Sequence, residues 1–68
     1  MTREEAVDLI ARGEYRYGAQ RDMYVKDKRG REMPKEHALD VFRKWANALP
    51  DSTFLGYAER HAPAYLEG

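Results

Sequence analysis

Glu36, His37 and Asp40 fall within one turn of a run with helical spacing, so His37 and Asp40 stand beside each other at i and i+3. A histidine next to a carboxylate is the unit of an acid/base pair, or half of a metal site. A zinc site needs three or four ligands from a defined framework. The chain has no cysteine, and its second histidine, His61, is a distant candidate partner. A polar first helical turn accounts for the triplet as well, with acids offsetting the helix dipole and an exposed histidine. Ser52 and Thr53 have no base at a meaningful spacing, and their place after Pro50-Asp51 suits them as helix caps. The five glycines form no phosphate-cradling pattern. No catalytic, cofactor or metal site is expected, and the chain reads as a non-enzyme.

Charge distribution carries more information than its sum. Twelve Lys and Arg balance twelve Asp and Glu, yet residues 12–35 hold eight basic against four acidic side chains. Arg16, Arg21, Lys26, Lys28, Arg29 and Arg31 are interleaved there with Tyr15, Tyr17 and Tyr24. Such a stretch can meet an acidic protein surface or phosphates. Tyrosine and arginine are also enriched in interface hot spots, and at least two tyrosines are expected to stay accessible. A solvated hairpin whose edge lysines and arginines discourage aggregation has the same composition.

The elements that position these residues follow from local pattern. Thr2-Arg3-Glu4-Glu5 has the form of a capping box, and Ala6, Val7, Leu9 and Ile10 make one apolar face. Gly13 can end that helix, which places it at residues 3–12. Alternation over Glu14 to Tyr17 and again over Arg21 to Lys26 reads as two strands, with room for a short third at Arg31 to Met33. Asp27-Lys28-Arg29-Gly30 suits a type I turn. After Pro34, the apolar positions Ala38, Leu39, Phe42, Trp45, Ala46 and Leu49 recur at helical spacing, and Pro50 stops the helix. Their stripe is wide, so this second helix is expected at the centre of the fold. Asp51 or Ser52 then caps a short third helix that runs to His61, before Pro63 and a tail holding Tyr65 and Leu66.

The resulting expectation is one α+β domain over residues 1–68: a helix, a short antiparallel β-hairpin with two or three strands, a long central helix and a short C-terminal helix. Its expected core is Leu9, Ile10, Val25, Leu39, Phe42, Trp45 and Leu49. No apolar run is long enough for a membrane span or a signal-peptide core, and the lack of cysteine fits a reducing, cytoplasmic setting.

The order helix, strands, helix superficially resembles a double-stranded-RNA-binding domain. Such domains need long strands and a lysine cluster opening the last helix, whereas Pro34-Lys35-Glu36-His37 offers one lysine beside an acid. The second and third helices can also be drawn as a helix-turn-helix. Residues 52–61 contain one arginine, one glutamate and no lysine, too few donors for a reading helix. The functional expectation is a non-catalytic module that binds a larger protein or protein complex, as an inhibitor or adaptor. Phage anti-defence proteins, anti-CRISPR proteins among them, are one candidate class, although no residue identifies it. The partner-binding residues are expected to be Tyr15, Arg16, Tyr17, Arg21, Tyr24, Lys26, Lys28, Arg29 and Arg31. A nucleic-acid-binding module using residues 12–35 is the alternative.

Overall fold

A computed structural model describes residues 1–18, 26 and 28–67. Among these residues there are four helices in chain order: α1 (Arg3–Tyr17), α2 (Lys35–Asn47), α3 (Asp51–His61) and α4 (Pro63–Glu67). The expected α+β class is overturned. Among the described residues the sole β pairing is one antiparallel bridge between Lys26 and Glu32, and there is no strand. The turn between them uses Gly30 at φ 76°, a conformation that favours glycine. The expected strand over residues 21–26 lies outside the described residues except for Lys26.

The capping box forms as its residues suggest. Glu5 N–H donates to the Thr2 hydroxyl at 3.2 Å, and Thr2 N–H donates to the Glu5 carboxylate at 3.0 Å. The expected stop at Gly13 does not occur. The helix runs on for another turn, so Glu14 to Tyr17 is helical rather than a strand, and the Gly18 N–H closes the end on the Glu14 carbonyl at 2.9 Å. The buried residues of α1 are Ala6, Val7, Ile10, Ala11 and Glu14, a helical stripe that leaves Leu9 at its edge, 37% exposed.

Pro34 and Pro50, both in extended conformation, stand at the N-caps of α2 and α3, and neither helix has a side-chain cap. Asp51 and Ser52 therefore lie in the first turn of α3 instead of capping it. The tail forms α4, and Tyr65 docks edge-on to Phe54 with ring centroids 5.6 Å apart.

α1, not α2, is the element against which both other long helices pack most extensively. Contacts along its length set the directions. Arg3 Nη2 donates to the Asn47 carbonyl at the end of α2, and Asp8 pairs with Arg43, so α1 and α2 run antiparallel. Arg3 also lies over the Phe54 ring at 4.1 Å, while Glu14 meets His61, so α1 and α3 run parallel. Two clusters fill the interior. Ala6, Val7, Ile10, Ala46, Phe54, Ala58 and Ala62 form one, with Trp45, Leu49, Tyr57 and Tyr65 packed against it. Ala11, Ala38 and Phe42 form the other, bordered by Tyr15, Met33 and Trp45. Ile10, Leu39 and Phe42 are buried as expected, whereas Trp45 and Leu49 are half-buried and Val25 is outside the described residues.

A candidate interaction surface at the basic end

Because α1 and α2 are antiparallel, the last turns of α1 lie beside the first turn of α2. Arg12, Tyr15, Arg16, Lys35 and Leu39 line a small cleft of about 60 Å3 between them. The turn through Lys28, Arg29, Gly30 and Arg31 leads directly into α2 and is exposed throughout. Cations from two helices and the intervening turn therefore collect at one end of the bundle.

The sequence-derived residues divide as follows. Arg16 and Tyr17 are exposed on the last turn of α1, and Tyr17 is the most open aromatic described, at 83%. Lys26, Lys28, Arg29 and Arg31 are exposed around the bridge and turn. Tyr15 is half-buried and packs edge-on to Phe42, with ring centroids 6.3 Å apart, so it belongs to the core border rather than to an open face. Arg21 and Tyr24 lie outside the described residues. Of the described tyrosines only Tyr17 is exposed, since Tyr57 and Tyr65 cover Trp45 and Phe54. The basic end also includes Arg12 and Lys35, which were counted in the basic stretch but not among the expected partner-binding residues. Their charge was legible, but their neighbourhood depends on α1 continuing past Gly13.

Of the reactive-looking residues, Asp40 and His61 are engaged elsewhere. Asp40 accepts from Arg43 Nη1 at 2.8 Å, and His37 is exposed. Arg43 also donates from Nε to Asp8 Oδ1 at 2.9 Å, while Arg12 Nε donates to Asp8 Oδ2 at 2.8 Å. Arg12, followed by Arg43, holds the Asp8 carboxyl below the ordinary aspartate range, and Asp8 in turn makes Arg43 harder to deprotonate. A larger open groove of about 430 Å3 between α1 and α2 includes Asp8 and Arg43 in its lining, so those charges are already neutralised within the fold.

His61 has a different partner from the one its type suggested. Its Nε2 lies 2.7 Å from Glu14 Oε2, in a partly buried pair joining α3 to α1. A Cβ built on Gly13 would meet the His61 Nδ1 at 2.2 Å, so the ring lies directly over the glycine backbone. With Nε2 on the carboxylate and Nδ1 against the helix, the imidazole ties two helices together. Among the described residues no group of three or more His, Cys, Asp or Glu is arranged to hold a metal ion. Nor is any helix there long and apolar enough to cross a membrane. The chain matches no protein-family model, and no curated protein or solved structure matches it, so any reading of the basic end rests on its own residues.

Proposed function

We propose that the protein is a non-catalytic binding module that acts in the cytoplasm, and that its basic end docks on an acidic surface of a larger protein. The observation that carries the reading is Tyr17, 83% exposed on the same helical turn as Arg16. An exposed tyrosine beside an arginine is a pairing enriched at interface hot spots. Lys28, Arg29, Arg31 and Lys35 extend the positive field, which steers an acidic partner toward the ring. An inhibitor or adaptor acts by such occupancy and needs no chemistry of its own. The absence of cysteine suits a reducing compartment.

The test is affinity capture from extract of the source cell, using the wild-type chain and an Arg16→Glu, Lys28→Glu, Lys35→Glu variant. All three side chains are exposed, so the variant is expected to melt cooperatively. The reading predicts a protein retained by the wild type after nuclease treatment and lost with the variant. Capture abolished by nuclease, or equal retention by both chains, contradicts it.

A further inference from the structure

The cleft lined by Arg12, Tyr15, Arg16, Lys35 and Leu39 has a volume of about 60 Å3. At ~10–15 Å3 for each water-sized sphere, it holds about four to six heavy atoms. That matches the size of one carboxylate or phosphate head. Its charges are unbalanced. Arg16 and Lys35 make no hydrogen bond or ion pair among the described residues, and Arg12 commits only its Nε, to Asp8. Glu14, the acid within this turn of α1, is buried against His61. The helix dipole favours Arg16 in the last turn of α1, and Asp8 pairs with Arg12, but these do not account for the whole cluster. Arg12 and Arg16 are like charges at i and i+4, which repel on a helix. Lys35 occupies the first turn of α2, where the dipole disfavours a cation. Tyr15 and Leu39 supply apolar walls, which strengthen any charge interaction inside.

We propose that this cleft is an oxyanion pocket, in which Arg16 and Lys35 hold one carboxylate or phosphate group and the remaining Arg12 nitrogens assist. The inference deepens the partner reading above and rests on it for the source of the group, an acidic or phosphorylated side chain of the docked protein.

The test is a nitrogen-15 NMR titration of the protein with inorganic phosphate and, separately, with acetate, each against chloride at equal ionic strength. The signals of Arg16 and Lys35 should move along a saturating curve with at least one oxyanion, and the tighter of the two identifies the chemistry of the source. Arg16→Gln and Lys35→Gln should each weaken that binding about tenfold, as expected for losing one charge-assisted hydrogen bond. Arg60→Gln, on α3, should leave it unchanged. Both pocket positions are exposed, and thermal melts verify that the variants are folded. Shifts that grow linearly and match those in chloride overturn the pocket, as does saturable binding untouched by either substitution. No partner protein is present in the titration. A saturable site with no captured partner therefore removes the docking reading alone, and a captured partner without a saturable site removes the pocket alone.

Discussion

At position 13 the absence of a side chain acts in two opposite directions. Glycine weakens the helix interior by about 1 kcal/mol relative to alanine. It also opens the space over which His61 lies, with Nδ1 only 2.2 Å from where a Cβ would stand. Gly13→Ala tests which effect dominates. The ring must move to admit the methyl group, and its movement would pull Nε2 from Glu14, so a net loss of about 1–3 kcal/mol is expected in chemical denaturation. A stabilised variant would show that His61 does not pack there. The companion substitutions should fall in order. His61→Ala strands the buried Glu14 carboxyl and should cost about 3 kcal/mol, whereas Glu14→Gln keeps an acceptor for the ring and should cost about 1 kcal/mol. The reverse order would remove the pair as a tie between α1 and α3.

Two contacts at the scale of the helices invite direct tests. Asp8 joins α1 to α2 through Arg43, and its carboxyl is held below the ordinary range by Arg12 and then by Arg43. A carboxyl that is more acidic in the folded state favours folding above its unfolded pKa, and that contribution is lost as pH falls through the folded value. Asp8→Asn should therefore destabilise the protein near neutral pH, by under about 1 kcal/mol because the side chain is partly exposed. The difference should close as pH drops below about 4, measured by denaturation at each pH. A difference that persists in acid would assign the effect to packing. Phe42 is wholly buried between Tyr15 and Trp45, both edge-on to its ring. Phe42→Ala should cost about 3–5 kcal/mol and leave little cooperative unfolding in a chain of this size. A near-wild-type melt would contradict the second core cluster.

The same scale explains what the sequence disclosed and what it concealed. The capping box, the span of α3 and the burial of Ile10, Leu39 and Phe42 follow from local pattern, and each is present. The course of residues 14–17 was ambiguous. Glu-Tyr-Arg-Tyr alternates with a period of two, yet the same four residues on a helix bring Glu14 toward α3 and Tyr15 toward α2. Gly13 resembled a helix stop because its actual reason, a ring from 48 residues further along the chain, is invisible to local spacing. The expected hairpin rested on that stop. Among the candidate site residues, the exposure of Arg29 and Arg31 was legible from charge and turn chemistry, whereas Arg16 and Tyr17 are exposed on a helix where a strand was expected. The contribution of Arg12 and Lys35 was not, because it needs the antiparallel docking of α1 on α2.

For the molecule as a whole, the buried apolar set among the described residues is dominated by alanine, with Phe42, Phe54 and Ile10 the largest fully enclosed side chains. Alanine lets helices approach closely but buries little area, so the fold relies on a few rings and on ties such as Arg3 to Asn47 and Glu14 to His61. At the basic end, Arg12 and Arg16 repel at i and i+4, and Tyr17 stands open to solvent. The charge of that end should set the rate of encounter with an acidic partner, and Tyr17 should set the lifetime of the complex. The most direct test is the affinity of the captured protein measured by calorimetry at two salt concentrations. Docking through a tyrosine and a few cations predicts a loss of less than about tenfold between 50 and 200 mM salt, whereas phosphate contacts along a nucleic acid would cost ~10³ or more. A fall of the larger size, matched by equal binding to unrelated oligonucleotides, would contradict the protein-docking account.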